Sequence, residues 1–559
     1  MKKQNQFLFL LMGLLLFGII FLVINLTNNV GKPESTINME ASVKQLNSLY
    51  KSITVNQNKS QRSSTIDSDI QTAILPDISE YPFVVNPTTD NYVTIYASTE
   101  KANEKLDSWL CQVADNYNNS HYESDGTPIS VGIRSIPSNL AVDFIKSEKY
   151  IPDLYLPSSE LYGLMLEDSK KSYTKLDDGI VDNISGIVIS SKIKSAIEQK
   201  YSKCDIETLV NCVLNGECII GYTNPLSNED GLNYLLTLLS IFDKDNPLSE
   251  NATNKLKLYQ DQIPYVSYEI AQLQDSLSNG TIDGFACNYK DYFTIPALKD
   301  SYDFIPYGIP QSSPAYIAKD LPTIKKETID SFIEFCKNEK SVELAGKSGF
   351  NQYKDYTYDG YKYSGKQILD AQNIWKKEKN GSSDLTAVFV SDISGSMEGS
   401  PLLKLKASLT RSSTFIDENT NVGLVTFSDT VNIALPIAKF DALQKANFLN
   451  SVKAMRAGGG TAMYDAIIVA EHMLMEKYKE NPNSRLMLIV LTDGESNRGH
   501  SFEDIEEISR NIRIPIYTIG YNADIDALQE VSDINEASTM DADSDNVIYK
   551  LESLFNSQM

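Results

Sequence analysis

Histidine and cysteine, which most often supply catalytic bases and metal or redox centres, are scarce in this sequence. The three histidines are His121, His472 and His500, and none has a partner at a spacing typical of a catalytic pair. The six cysteines all lie between residues 111 and 336 and include no Cys-x-x-Cys pair. A zinc or thiol redox centre is therefore not supported. A disulfide among Cys204, Cys212 and Cys218 and buried free thiols both remain open.

Positive charge is also in deficit. The chain has 50 Lys and Arg residues against 74 Asp and Glu residues, which gives a formal net charge of −24. Such a surface repels phosphates, so we expect no nucleic-acid partner. It favours cations or basic proteins, although solubility alone is the commoner explanation of an acidic surface. A length of 559 residues predicts two or three domains.

The longest uncharged run lies at the amino terminus. Residues 7–24 are apolar throughout and follow Lys2 and Lys3; roughly 20 such residues cross a bilayer as a helix. We interpret residues 1–26 as a transmembrane signal anchor of a single-pass cell-membrane protein, with the bulk of the chain outside the cytoplasm. A cleaved signal peptide is the alternative. The polar composition of residues 27–89 predicts a stalk without a core of its own.

Residues 90–352 alternate between β-rich runs and helical patterns, which is typical of sheets covered by helices. Ligands bind beyond the carboxyl ends of such strands, where seven polar residues fall: Ser98, Thr99, Ser158, Ser159, Thr223, Asn224 and Ser227. Each is equally typical of a helix cap or turn. The start of a helix near Glu229 predicts a pocket for an anion or polar ligand.

The layout of this region, its run from Pro152 to Ser159 and its turn from Gly221 to Ser227 resemble extracellular solute-binding proteins. The resemblance implies two lobes, with chain crossings near residues 160–190 and near residue 300, and a small solute between them. Residues 353–383 are interpreted as a connector to the last domain.

The last domain, residues 384–557, brings oxygen-bearing side chains to the ends of buried strands. The apolar run before Asp392 is followed by Ser394 and Ser396, and the run over residues 486–491 is followed by Asp493. Thr461 follows three glycines at the start of a predicted helix. Such oxygens are the ligands that hard divalent cations prefer.

These three segments resemble the metal-ion-dependent adhesion site of von Willebrand factor A (VWA) domains, and the resemblance covers the whole of residues 384–557. It implies an α/β, doubly wound, Rossmann-like domain in which five residues hold the ion: Asp392, Ser394, Ser396, Thr461 and Asp493. Mg²⁺ suits the site best, with Mn²⁺ or Ca²⁺ as substitutes. Asp429 and Asp465 are candidates for supporting the ligating residues by hydrogen bonds.

A divalent ion held by three hydroxyls and at most two carboxylates keeps residual positive charge and an open position. An acidic side chain of a protein partner would complete its shell, so we expect a binding protein and not an enzyme. A phosphotransfer aspartate would want a second aspartate at Ser394, and the glycine turn lacks the Lys-Ser/Thr ending of a phosphate-binding loop. Two alternatives remain: an exported solute-binding protein that serves a transporter and docks through its last domain, and a hydrolase with an unrecognised nucleophile.

Overall fold

The computed structural model describes residues 34–57, 75, 77–103, 108–167, 173–263, 266–267, 270–278, 280–299, 301–353, 356–379, 384–413, 416–494, 496–521, 528, 531–532 and 539–542. The predicted signal anchor over residues 1–26 lies outside these ranges. Within them, no helix is both long enough and apolar enough to cross a bilayer. Three β-sheets organise the described chain.

Helix α1 (Glu34–Ser52) and strand β1 (Val55–Gln57) begin the described chain. A two-lobed middle region follows. Its strands are β2 (Phe83–Val85), β3 (Asn91–Ala97), β4 (Glu123–Ser124), β5 (Thr127–Ser135), β6 (Leu154–Leu156), β7 (Tyr173–Asp177), β8 (Asn183–Ser190), β9 (Ile220–Gly221), β10 (Gly284–Asn288), β11 (Tyr302–Gln311) and β12 (Ala315–Ala318). Its helices are α2 (Trp109–Asn119), α3 (Ser138–Ser147), α4 (Glu160–Glu167), α5 (Ser191–Tyr201), α6 (Ile206–Leu214), α7 (Glu229–Phe242), α8 (Glu250–Gln260), α9 (Ile270–Ser278), α10 (Tyr289–Thr294), α11 (Pro296–Lys299), α12 (Thr323–Cys336) and α13 (Glu339–Lys347).

Each lobe of the middle region is built on its own sheet. The first sheet has the strand order β2-β5-β3-β6-β12-β7, with β4 paired to β5, and the second has the order β11-β8-β10-β9. The chain crosses from the first sheet to the second at residues 178–182, within the predicted range, and returns at residues 312–314. The return comes later than the predicted position near residue 300 because β11 continues past Tyr307 to Gln311.

The predicted connector contains helix α14 (Gly365–Glu378), which packs on both lobes. It contacts α4 of the first lobe and α7 and α8 of the second. Its Trp375 side chain is fully buried and donates a hydrogen bond to the Tyr222 hydroxyl at 2.9 Å. Residues 365–378 therefore share the core of the middle region.

The last domain is a sheet covered by helices on both faces. Its elements are β13 (Leu385–Asp392), α15 (Ser400–Ser412), β14 (Asn421–Phe427), β15 (Val431–Lys439), α16 (Ala442–Ala454), α17 (Met463–Glu480), β16 (Arg485–Thr492), α18 (Phe502–Ile512), β17 (Ile516–Tyr521) and β18 (Thr539–Ala542). The strand order is β1-β15-β14-β13-β16-β17-β18, and only β15 runs antiparallel to its neighbour β14. Since β13, β14 and β16 are parallel and in register, their carboxyl ends meet at one edge.

Residues 34–57 correct the prediction of a polar stalk over residues 27–89. Strand β1 pairs in parallel with β15, and α1 packs on α17 and α18. Leu46 is buried, and the Tyr50 ring stacks on His472 with the centroids 3.8 Å apart. The average composition is polar, but Met39, Val43, Leu46 and Leu49 recur every three or four residues and form one apolar stripe. The middle region is thus inserted between β1 and β13 of the last domain.

Candidate functional site

Asp392 is the last residue of β13 and is completely buried. Its Oδ1 accepts a hydrogen bond from the Ser394 backbone N–H at 2.7 Å, and its Oδ2 accepts one from the Thr492 hydroxyl at 2.5 Å. Burial raises the pKa of this carboxyl above its ordinary value. The carboxylate is therefore held rigidly at the end of the strand.

Ser394, Ser396 and Asp493 form a hydrogen-bonded series beside Asp392. The hydroxyl oxygens of Ser394 and Ser396 are 2.9 Å apart, and the Ser396 hydroxyl donates to Asp493 Oδ1 at 2.8 Å. Ser394 is buried, whereas Ser396 is exposed. The series runs from the base of the site to its surface, so four of the five predicted ligating residues are joined by direct contacts.

The glycine turn that carries Thr461 is tied to the same loop by backbone hydrogen bonds. The Gly395 N–H donates to the Gly459 carbonyl at 3.0 Å, and the Gly458 N–H donates to the Ile393 carbonyl at 2.9 Å. Gly459 has φ +88°, and a Cβ there would lie 2.4 Å from Asp429 Oδ2, so only glycine fits. The turn brings Thr461 beside the first loop at the same edge of the sheet.

Asp429 and Asp465 stabilise two loops by accepting hydrogen bonds from their backbone N–H groups. Asp429 Oδ1 accepts a hydrogen bond from the Gly460 N–H at 2.9 Å and so fixes the turn before Thr461. Asp465 Oδ1 accepts from the backbone N–H of His500 at 2.8 Å and lies 2.6 Å from its ring Nδ1. Asp465 holds the loop after β16, and no contact joins it to the five predicted ligating residues within the described chain.

Three residues that sequence reasoning missed also shape the site. Thr492 positions Asp392, as described above. The Ser496 hydroxyl donates to the Thr461 carbonyl at 3.0 Å, and Asn497 Oδ1 accepts from the Thr461 N–H at 2.9 Å. The signal for Thr492 was its place directly before Asp493 at the carboxyl end of β16. Ser496 and Asn497 lie in a polar loop without such a signal.

The residues present fit a hard divalent cation. The five side chains offer three hydroxyl and two carboxylate groups, all of them oxygen donors. Among the described residues no three His, Cys, Asp or Glu side chains come together at metal-binding spacing, so a metal here depends on the hydroxyls. The buried Asp392 is the only fully covered carboxylate of the set, and a cation would supply its missing countercharge.

A second candidate site is a cavity of about 390 Å³ between the two lobes of the middle region. Four of the seven predicted solute-binding residues line it: Ser98, Thr99, Ser158 and Ser227. The other three are buried outside the lining, and each makes a local hydrogen bond. Ser159 accepts from the Leu161 N–H, Thr223 donates to Asn228, and Asn224 accepts from the Leu226 N–H.

Charged residues that sequence reasoning missed dominate this cavity. Its lining includes four carboxylates and one lysine: Glu100, Glu229, Asp230, Asp291 and Lys290. The lobes meet across it, because the Ser158 hydroxyl of the first lobe donates to Glu229 Oε2 of the second at 3.0 Å. Burial raises the pKa of Glu229 to about 8 and that of Asp230 to about 6.

Solved solute-binding proteins are among the structures to which this chain is similar. A periplasmic thiamin binding protein covers 53% of this chain and is itself covered over 98% of its length, at 12% sequence identity and a TM-score of 0.37. Likeness at this level concerns the arrangement of helices and strands, and it carries no information about the ligand.

The last domain matches the family model of the von Willebrand factor type A domain over residues 387–556. A VWA domain-containing protein of Dictyostelium discoideum is 29% identical over 211 residues, which are 37% of this chain and 20% of that protein. Inter-alpha-trypsin inhibitor heavy chain H3 of Homo sapiens is 34% identical over 143 residues, which are 24% of this chain and 16% of that protein. The chain thus spans a fifth or less of the length of these relatives. The predicted domain is confirmed: residues 387–556 form a von Willebrand factor type A domain.

Proposed function

We propose that this chain is a membrane-anchored binding protein whose VWA domain holds Mg²⁺ and uses it to engage an acidic side chain of a protein partner. Mn²⁺ or Ca²⁺ would substitute for Mg²⁺. Protein–protein adhesion or docking is the role that a VWA domain implies. The observation that carries the proposal is the series of contacts from Asp392 through Ser394 and Ser396 to Asp493 at one sheet edge.

Each residue of the site has a distinct task in this proposal. Asp392 would hold the ion from below, because it is buried and clamped by two hydrogen bonds. Ser394, Ser396 and Thr461 would offer neutral oxygens, which leave the ion its positive charge. Ser396 is exposed, so a partner can reach the ion from that side. When bound, the ion supplies a positive centre that a partner's carboxylate completes.

The proposal assigns binding, and no reaction, to this site. The histidine nearest to it in sequence, His500, is held by Asp465 and by a 3.4 Å contact from its Nε2 to the Ser52 hydroxyl. It is thus engaged in joining the loop after β16 to α1.

Calorimetric titration of the purified full chain with Mg²⁺ tests the metal site. We expect Asp392→Asn to weaken Mg²⁺ binding by about tenfold or more, since loss of even a supporting contact costs that much. Asp417→Asn is the matched control, because Asp417 is an exposed aspartate that precedes β14 at the opposite sheet edge. Equal Mg²⁺ affinity in Asp392→Asn and the unchanged protein would refute the site.

Purification of this protein from native membranes together with any bound protein tests whether a partner binds through the metal ion. We expect a bound protein to be released by a chelator, to rebind when Mg²⁺ is restored, and to be missing from the Asp392→Asn sample. A partner that stays bound in chelator would contradict a metal-mediated contact.

The membrane anchor is part of the proposal and is supported by residues 1–26 of the sequence. We expect the native protein to stay in the membrane after a high-salt wash and to leave it only in detergent. Release by salt alone would favour the cleaved form.

A second candidate function is that of an exported solute-binding protein that serves a transporter, with the VWA domain as its docking module. The cavity between the lobes favours it. The salt wash distinguishes the two functions. An anchored protein stays in the membrane, whereas an exported, cleaved protein is released.

A further inference from the structure

We propose that the cavity between the lobes binds a small organic cation. The proposal rests on the solute-binding role of the middle region and names the class of solute.

The first argument is the balance of charge around the cavity. Lys101 Nζ lies 3.0 Å from Glu100 Oε1, and Lys290 Nζ lies 3.4 Å from Asp291 Oδ1, so these two carboxylates have cationic partners. No described lysine or arginine forms an ion pair with Glu229 or Asp230. Lys101 interacts electrostatically with Glu229 from beyond ion-pair distance. Neither Glu229 nor Asp230 has an ion-pair partner of its own in the described chain, and a cationic ligand would supply one.

The second argument is the hydrogen bonding of these two carboxylates. Asp230 is 2% exposed and accepts only neutral donors, namely Ser185 Oγ at 3.1 Å, Gln311 Nε2 at 2.9 Å and Asn288 Nδ2 at 2.9 Å. Glu229 Oε2 accepts from Ser158, and the nearby Ser159 hydroxyl also lowers the pKa of Glu229. Its Oε1 is covered and accepts no hydrogen bond of normal geometry within the described chain. A buried oxygen without a donor is costly, and an N–H of the ligand would satisfy it.

The same residues argue against an anion. Helix α7 points its amino terminus at the cavity, which would ordinarily favour an anion. Here the side chain of Asn228 already accepts hydrogen bonds from the Asp230 and Gly231 N–H groups. Glu229 and Asp230 occupy the first turn and offset the helix dipole. Of the two sequence-based expectations at this helix, an anion or a polar ligand, these contacts favour a polar ligand that carries positive charge.

The size and lining of the cavity favour an organic ion over a bare metal ion. Its volume of about 390 Å³ is that of a small-molecule pocket. Pro137, Tyr162, Ile270 and Ala271 contribute non-ionic surface for carbon groups. No three acidic side chains of the described chain meet at metal-binding spacing. Once Glu229 and Asp230 are ionised, a neutral solute would leave them enclosed without an ion-pair partner.

Calorimetric titration of the purified full chain at pH 8 and low salt tests the class of solute. The cationic probes are putrescine, agmatine and choline, the anionic probes are sulfate and phosphate, and the neutral probe is glucose. We expect at least one cation to bind and Glu229→Gln, which keeps the shape of the side chain, to weaken it by about tenfold. The control is Glu343→Gln on the exposed face of α13, where Glu343 pairs only with Lys347 within the described chain, and it should bind as the unchanged protein does.

Three outcomes would overturn the proposal: binding of sulfate, phosphate or glucose but of no cation, no binding of any probe, or cation binding that Glu229→Gln leaves intact. Binding of an anion or of glucose would still support a solute-binding module. It would refute only the proposal that the solute is a cation. Mg²⁺ titration of the same samples reports separately on the VWA domain, so failure of one site is distinguishable from failure of the other.

The dependence on pH gives a second readout. The charged and titratable groups around the cavity are Glu100, Lys101, Tyr162, Glu229, Asp230, Lys290 and Asp291. Because the raised pKa values of Glu229 and Asp230 are about 8 and about 6, Asp230 is half ionised near pH 6 and Glu229 near pH 8, so the negative charge at the cavity grows over this range. Cation affinity should rise severalfold over this range and proton release should accompany binding. A flat or falling profile would contradict a cation held by these two groups.

Discussion

The Thr492 hydroxyl is one of two groups that orient Asp392 at the candidate metal site. The Thr492 hydroxyl donates to Asp392 Oδ2 at 2.5 Å, and both side chains are buried. We predict that Thr492→Val lowers Mg²⁺ affinity by about tenfold, because supporting contacts of this kind orient metal ligands. Thr386→Val is the matched control, since Thr386 is equally buried at the other end of β13, where its hydroxyl contacts Ser484. Similar Mg²⁺ affinities in the two variants would argue against this role of Thr492.

Glu471 of α17 makes the stability of the VWA domain depend on pH. It is completely buried, and burial raises its pKa from the ordinary 4.5 to about 7. Below pH 4.5 the carboxyl is protonated in both the folded and the unfolded chain. The free energy of unfolding is therefore highest at low pH. It falls by at most about 3 kcal/mol as the pH rises towards 7.

We predict that Glu471→Gln removes this loss and stabilises the domain at pH 8. Urea unfolding between pH 5 and pH 8 measures the effect. Glu476→Gln, an exposed change on the same helix, should leave the profile as it is. If Glu471→Gln leaves the pH dependence of the free energy of unfolding unaltered, ionisation of Glu471 does not destabilise the folded protein.

At the residue scale, the meeting of Asp392 and Asp493 at one sheet edge could be predicted from the sequence, whereas the acidic lining of the cavity could not. Asp392 and Asp493 end apolar runs in the sequence, and parallel strands bring such ends together, so local patterns were sufficient. Glu229 and Asp230 lie in the first turn of α7, where acids ordinarily serve only the helix dipole. The contact of Glu229 with Ser158 depends on the packing of two lobes, which no local pattern reports.

At the element scale, α1 is an integral part of the VWA domain. Leu46 is 1% exposed and lies in the core formed with α17 and α18. We predict that Leu46→Ala destabilises this domain by about 2–5 kcal/mol, the usual cost of emptying a buried leucine site. Leu403→Ala on α15, where the side chain is 68% exposed, should cost less than about 0.5 kcal/mol. A free stalk would predict no effect of either change on the urea unfolding midpoint.

Sequence patterns anticipated the long elements of the VWA domain better than its additions. The runs that became β13, β14 and β16 are apolar and bounded by polar loops, which is the signal of buried parallel strands. Strand β1 has only three residues and β18 only four, and both owe their conformation to pairing with a neighbour. Short edge strands of this kind carry too little periodicity to be recognised before the partner strand is known.

At the scale of the whole molecule, Arg485 joins the middle region to the VWA domain. It begins β16, and its Nη2 donates to the backbone carbonyls of Gln260 at 2.7 Å and Ile263 at 2.9 Å. We predict that Arg485→Ala costs about 1–3 kcal/mol, because these carbonyls lose a charged donor. Hydrogen exchange at the end of α8 and the start of β16 should increase. Arg510→Ala, which removes an exposed pair with Glu506, serves as the control.

If exchange at both positions stays at the level of the unchanged protein in Arg485→Ala, the two modules are not held together by this side chain. The contact lies at the amino end of β16, whereas Asp493 follows its carboxyl end. One strand therefore connects the middle region to the candidate metal site.

In the proposed function, oxygen donors from three separate loops hold one divalent cation. Anomalous diffraction from crystals of the full chain grown with Mn²⁺ tests it most directly, because Mn²⁺ substitutes for Mg²⁺ at oxygen sites. We expect a single strong peak about 2 Å from the hydroxyl oxygens of Ser394 and Ser396 and near Thr461 and Asp493, as direct coordination requires. A peak elsewhere, or none at this edge of the sheet under saturating Mn²⁺, would contradict it.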